Sequence, residues 1–261
     1  MALSIDLSGK VVLVTGASRG IGKATAEAFG DAGARVAVHY ASNENAARGV
    51  SARCGNAADV FQTDLSNPTS AQNLWDEVLS RFGQIDVLVN NAGIAEAAPP
   101  ETDLPDWLNV WERTMAINAT APAVLCRAAC EHFAERHAGG DTPIAGRIVN
   151  VASRAAFRGD TPEYLAYAAS KGALVAMTRS IARGYGRKGT AAFVVAPGFT
   201  QTDMARPFME RYGADYATSD LALPTLTQPE DIAPTIVFLA SGLADHATGA
   251  TIDLNAGSYV H

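Results

Sequence analysis

Short apolar runs alternate with longer amphipathic stretches along this whole chain, and no other feature constrains its fold as strongly. Lys10 to Thr15 reads as a buried strand, Gly20 to Ala32 as a helix and Arg35 to His39 as a second strand. Asn43 to Arg53 and Thr69 to Phe82 read as helices on either side of a short strand near Val60-Phe61. Ile85 to Asn90, Arg147 to Ala152, Ala191 to Ala196 and Thr251 to Leu254 are the later strands. Between them lie a long helical region from about Pro105 to Arg136, with a break expected near Pro122, and a helix over Pro162 to Tyr185. A last helix opens at Pro229, and Pro234 inside it predicts a kink or a shift. Strands alternating with helices imply a parallel sheet covered on both faces: an α/β, three-layer, doubly wound fold, read as a single domain over residues 1–261. Ala138 to Ala145 reads as a surface loop. Arg206 to Gln228 lacks a clear pattern and is expected to belong to a substrate lid over about 200–228.

Composition narrows the function by exclusion. With 20 Lys and Arg against 27 Asp and Glu, the net charge is -7, and no basic tract appears, so nucleic acid is not an expected partner. No apolar stretch reaches membrane-spanning length, and the N-terminus has no signal-peptide pattern. The three cysteines, Cys54, Cys126 and Cys130, form no disulfide framework and are read as buried core thiols rather than metal ligands. A cytoplasmic location is the expectation.

Two motifs carry chemistry. The first strand runs into Thr15-Gly16-Ala17-Ser18-Arg19-Gly20-Ile21-Gly22 and then a helix. Glycines there let the backbone approach a pyrophosphate, and the helix N-terminus offers free amides and a positive dipole end. After strand two the chain reads His39-Tyr40-Ala41-Ser42-Asn43, with no acidic residue to hold a ribose diol. Arg19 in the turn, or Arg48, would meet a 2′-phosphate, with Ser42 and Asn43 donating hydrogen bonds. NADP(H) is therefore preferred and NAD(H) is the alternative. Candidate cofactor contacts in these segments are Gly16, Ser18, Arg19, Gly20, Ile21, Gly22, Tyr40 and Ser42. The second motif is Tyr167-Ala168-Ala169-Ser170-Lys171. Four residues apart on a helix, the phenol and the ammonium share a face. The ammonium is expected to lower the phenol pKa and make it an acid/base group for an oxygen.

Taken in order, these residues resemble the short-chain dehydrogenase/reductase family, single-domain form, nearest in motifs to beta-ketoacyl reductase-like members. The resemblance covers essentially the whole chain. It includes the glycine turn, Asp64, Asn90-Asn91-Ala92-Gly93, Asn118, Ser153, Tyr167, Lys171 and Pro197-Gly198 leading to Thr202. It implies a Rossmann fold and an oxidoreductase interconverting a carbonyl and a secondary alcohol. Tyr167 would be the general acid/base, Ser153 would hold the substrate oxygen, and Lys171 would tune Tyr167 and bind the nicotinamide ribose. Asn118 would hold a water in a proton relay. Asp64 and Leu65 would contact adenine, and Asn91, Ala92 and Gly93 would line the cleft. Pro197, Gly198, Thr200 and Thr202 would fix the nicotinamide. The family also implies a homo-oligomer, tetramer or dimer.

Departures from the pattern argue against an acyl-carrier substrate. Phe193 stands where many relatives have asparagine, and Ala256 where a second glycine is usual. Phe208, Met209, Tyr212 and Tyr216 in the expected lid suggest a partly apolar substrate. The competing readings are a beta-ketoacyl thioester reductase, an NAD-dependent alcohol dehydrogenase and a non-catalytic NADP-binding protein.

Overall fold

The structure, a computed structural model, describes residues 5–55, 57–140, 142–205 and 218–260. Of the expected lid, 206–217, with Phe208, Met209, Tyr212 and Tyr216, lie outside the described residues. Seven strands form one sheet: β1 (Val11–Val14), β2 (Arg35–Tyr40), β3 (Asp59–Gln62), β4 (Val87–Asn90), β5 (Gly146–Val151), β6 (Thr190–Pro197) and β7 (Thr251–Leu254). Their order is β3-β2-β1-β4-β5-β6-β7, and every pairing is parallel.

Strand side chains alternate between two apolar layers. Val12, Val14, Val36, Val38 and Phe193 face α1 (Gly20–Asp31), α2 (Glu44–Arg53) and α8 (Pro229–Ala240), where Phe29, Val50, Ile232 and Ile236 cover them. Val11, Leu13, Leu88 and Ile148 face α3 (Pro68–Phe82), α5 (Ala121–Ala138) and α7 (Leu165–Tyr185), which contribute Leu74, Trp75, Leu125, Phe133 and Ile181. Because both faces are covered, the strands read as apolar runs rather than as alternating ones. Phe193 is wholly buried core.

Several details depart from the sequence expectation. The long helical region does not break at Pro122. It runs as α4 (Leu104–Met115), a five-residue π-helical turn at Ala116–Thr120, and α5. The wide turn carries the Ala121 N–H back to the Ala116 carbonyl just before the proline, which needs no hydrogen bond of its own. Pro162–Tyr164 forms a 3₁₀ turn ahead of α7, and a short helix, α6 (Ala155–Arg158), follows β5. Helix α8 includes Pro234 and runs from Pro229 to Ala240, with Asp231 accepting the Gln228 N–H at 2.8 Å at its start.

Two positions give opposite tests of this packing. A Cβ on Gly146 would lie 2.3 Å from the Phe133 ring, inside the α5 layer. Ala256 holds φ +52, the only positive φ outside glycine among the described residues, where an L side chain crowds its own backbone. Gly146→Ala is expected to lower unfolding stability by about 1–3 kcal/mol through overpacking. Ala256→Gly is expected to raise it by about 1 kcal/mol. Urea denaturation of both variants checks the pair, and the same sign for both would refute it.

Candidate active site

The glycine turn sits where the sheet order reverses, between β1 and β4. Thr15 is buried and ties the two strand ends together. Its Oγ1 accepts the N–H groups of Asn91 and Ala92, both at 3.0 Å. Asn91 returns its side-chain amide to the carbonyls of Thr15 (2.9 Å) and Gly16 (3.2 Å). Gly22 packs under this knot, where a Cβ would stand 2.3 Å from the Gly16 carbonyl oxygen. Gly16 has φ +63 and lies so close to Ala92 that a Cβ would meet its Cα at 2.9 Å. Arg19 caps α1 without a side-chain hydrogen bond, so the first amides of the helix keep donors for a ligand. Open amides behind a turn that only glycine can form fit a pyrophosphate.

His39 was not assigned a role from sequence, yet it braces this turn. Its Nδ1 accepts the Gly16 N–H at 3.0 Å, which places the proton on Nε2, donated to the Thr63 carbonyl at 3.0 Å. Burial pulls its pKa down to about 4, against the opposing pull of the Thr63 hydrogen bond, so the ring is neutral. The signal lay in strand parity. Val36, Val38 and Tyr40 share the α1/α2 layer, so His39 faces the other way. The same parity corrects the reading of Tyr40, whose side chain is buried core and not part of the cleft wall.

No acidic side chain lies between β2 and α2. Ser42 and Asn43 border the cleft, and Asn43 Oδ1 caps α2 by accepting the Ala46 N–H at 3.0 Å. Arg19 lies across the cleft mouth with Nη1 3.6 Å from Asp203, an exposed pair. Arg48 is engaged with Glu44 one helical turn away and does not line the cleft. Asp64, beyond β3, accepts the Ser66 N–H at 2.9 Å, which holds its carboxyl below the usual range.

At the other end, α7 presents Tyr167 and Lys171 to the end of β5. Lys171 Nζ donates to the Val151 carbonyl at 2.9 Å and stands 5.7 Å from the centre of the Tyr167 ring. Burial alone pulls Lys171 down to about 8. Part of the Tyr167 ring is open to the cleft, yet desolvation pushes its phenol above the ordinary value, opposed by a hydrogen bond with Ser153. The lowering expected from Lys171 is therefore not the net balance in this structure. The ammonium is spent on a backbone carbonyl and lies over the ring face. Ser153 Oγ also accepts the Ala155 N–H at 3.1 Å, which fixes its rotamer.

Asn118 lies fully buried in the π turn, and its side chain is committed. Oδ1 accepts the Ile94 N–H at 2.8 Å, and Nδ2 donates to the Ile94 carbonyl (2.8 Å) and Ser170 Oγ (3.0 Å). It thus pins the loop after β4 to α7. Gly93 lies between it and the lysine: a Cβ there would meet Asn118 Oδ1 at 3.2 Å and Lys171 Nζ at 3.3 Å.

One cleft of about 870 Å³ runs from the glycine turn to Tyr167. All the site residues expected from sequence line it except Gly22, Tyr40, Asn118 and the alternative phosphate contact Arg48. Pro197, Gly198, Thr200 and Thr202 form its wall beyond β6, with Gly198 N–H on the Leu254 carbonyl at 3.1 Å and Thr200 bridged to Thr227. The cysteines are free and buried, and burial pushes Cys54 and Cys126 up to about 12 and Cys130 up to about 11.

Known proteins resemble this chain over nearly its whole length. Residues 16–259 match the family model described as enoyl-(acyl carrier protein) reductase. The chain is 32% identical over 256 residues to 3beta-hydroxysteroid dehydrogenase 1 of Eggerthella lenta, covering 97% of this chain and 94% of that one. It is 34% identical to the 3-oxoacyl-(acyl-carrier-protein) reductase FabG of Vibrio cholerae, covering 98% and 100%. A blue fluorescent protein from a metagenomic library, solved in complex with NADPH, superposes with a TM-score of 0.85 at 36% identity, covering 98% and 100%. The chain belongs to the short-chain dehydrogenase/reductase family of oxidoreductases.

Proposed function

We propose that this protein is an NADP(H)-dependent oxidoreductase that interconverts a carbonyl and a secondary alcohol, with Tyr167 as the general acid/base. The observation that carries the reading is the convergence of Ser153, Tyr167 and Lys171 at one end of a cleft whose other end is the glycine turn. When bound, the nicotinamide cofactor supplies hydride to the substrate carbon or accepts it from there. The open amides of α1 hold the pyrophosphate, and Thr200 and Thr202 hold the nicotinamide side. Arg19 and Ser42 take the 2′-phosphate. The exposed Arg19–Asp203 pair is worth no more than about 1 kcal/mol, so it costs Arg19 little to turn to a 2′-phosphate instead. The NADPH in the related metagenomic structure supports this choice.

In reduction, Ser153 holds the carbonyl oxygen and Tyr167 gives it a proton. A phenol kept protonated by burial suits that direction. Lys171 contributes charge near the phenol and a donor for the ribose. Replenishment of the proton passes by the Asn118 main chain, because its side chain is committed. Pro122 brings no N–H to the Asn118 carbonyl at helical spacing, and that oxygen is the group assigned to a water. Apolar side chains left exposed, Leu165 on α7 and Leu104 and Leu108 on α4, support a homo-oligomer, tetramer or dimer. A cytoplasmic location accords with the free cysteines, and no described helix is long and apolar enough to cross a membrane.

Three measurements test this reading. Tyr167→Phe is expected to cut carbonyl reduction by about a hundredfold or more while NADPH affinity stays within a few-fold. Near wild-type turnover would sink the assignment. In fluorescence titrations NADPH should bind more tightly than NADH, and Arg19→Ala should shrink the gap; equal affinities in the wild type would contradict the 2′-phosphate site. The third concerns the cost of Lys171. Its folded pKa, about 8, lies below the unfolded value of 10.5, so between those pH values the unfolded chain binds the extra proton. The penalty for burying the charge is full below pH 8 and fades as pH rises to about 10.5. Cofactor-free Lys171→Met is expected to be inactive yet more stable at pH 7, by up to about 3 kcal/mol. That advantage should shrink across the same pH window, and a constant difference would exclude a buried charge as its cause.

A further inference from the structure

The wall of the cleft beside Ser153 contains a charged group that the proposed chemistry does not use. Helix α6 begins immediately after Ser153, and its single turn brings Arg154 and Arg158 to one side. Arg154 is only 5% exposed and lines the cleft, yet its guanidinium makes one hydrogen bond among the described residues, Nη1 to Asp220 Oδ2 at 2.9 Å. Arg158 Nη1 reaches the same oxygen at 3.1 Å. Two guanidiniums thus share one carboxylate oxygen, and neither uses the forked edge that grips an anion with two parallel bonds. The Phe199 ring lies 5.2 Å from the Arg154 guanidinium carbon and fixes the plane without satisfying a donor.

No Arg154 nitrogen is among the buried side-chain atoms left without a partner, so its remaining donors are open to water or to a ligand in the cleft. Among the described residues, Asp160, which follows α6, also acts on Arg154 and Arg158, and Glu163 acts on Asp160. Asp160 is surface-exposed, but its carboxyl is crowded enough for desolvation to raise its pKa. It accepts the Thr161 N–H at 2.9 Å and forms no ion pair with either arginine. The cleft wall next to the oxygen-holding serine therefore offers cationic donors in excess of its paired carboxylate.

We propose that the substrate carries an oxyanion, a carboxylate or a phosphate, near its reacting carbon, and that Arg154 and Arg158 bind it beside Ser153. This assignment rests on the carbonyl–alcohol reading above. In it, Asp220 competes for the arginines and keeps them in place between turnovers.

The test uses the full chain with NADPH and matched ketones: acetoacetate against methyl acetoacetate, and dihydroxyacetone phosphate against dihydroxyacetone. One anion of the two should raise kcat/KM over its neutral mate by roughly tenfold or more, and the pair that does so distinguishes carboxylate from phosphate. Arg158→Gln should collapse that anion-over-neutral ratio through KM, whereas Asp220→Asn should raise it by removing the competitor. An ion-pair clamp with only a structural role would make both substitutions act in the same direction, and that outcome overturns the proposal. So does equal turnover of charged and neutral ketones, which would leave the oxidoreductase reading standing. If no ketone is reduced, the oxidoreductase reading is what fails. Thermal shift of the NADPH complex then decides the anion site: stabilisation by acetoacetate or dihydroxyacetone phosphate but not by its neutral mate, lost in Arg158→Gln, supports it, and no difference overturns it.

Discussion

Burial of both faces of an all-parallel sheet is the constraint on which the rest of this structure depends. Seven strands lie between two apolar layers, so both sheet faces are given over mainly to core packing. Parallel connections carry every strand end of one polarity to the same edge. The turns after β1, β2, β3, β4, β5 and β6 accordingly meet along one cleft. The Thr15–Asn91 knot holds that edge together at the point where the strand order reverses and the flanking turns would otherwise part.

What the sequence made legible follows from periodicity. The seven strands and the major helices were readable because each is long enough for its apolar spacing to show. Position on the cleft wall was readable where one residue type at one place in the pattern suffices, as for Ser153, Tyr167 and Lys171. What escaped depends on three-dimensional parity or on local backbone departures. His39 and Tyr40 are neighbours that look interchangeable in sequence, but strand alternation sends the imidazole to the glycine turn and the tyrosine to the core. The π turn at Ala116–Thr120 has no compositional mark apart from the proline after it, and it is this turn that buries Asn118. The committed Asn118 amide could not be read from sequence, because its partners, Ile94 and Ser170, come from two other elements.

The electrostatics of the site trade stability for chemistry. Lys171 is a buried ammonium with one backbone acceptor, Tyr167 a phenol that burial keeps protonated, and Arg154 a buried guanidinium held by one carboxylate oxygen. Each is costly in a folded chain. The knots around Thr15 and Asn118 and the two apolar layers supply the rigidity that keeps such groups in place without a ligand. Relatives named for a steroid and for an acyl-carrier substrate resemble this chain along nearly its whole length.

The central claim is that a proton from Tyr167 and a hydride from the cofactor reach the same carbonyl in this cleft. Its most direct measurement follows label from NADPH deuterated at the transferable nicotinamide position into the alcohol product by mass spectrometry. Expected is one deuterium on the carbinol carbon with the wild-type protein, and product formation slowed by orders of magnitude in Tyr167→Phe with the cofactor still bound. Labelled alcohol formed by Tyr167→Phe at the wild-type rate, or product without deuterium, would contradict it.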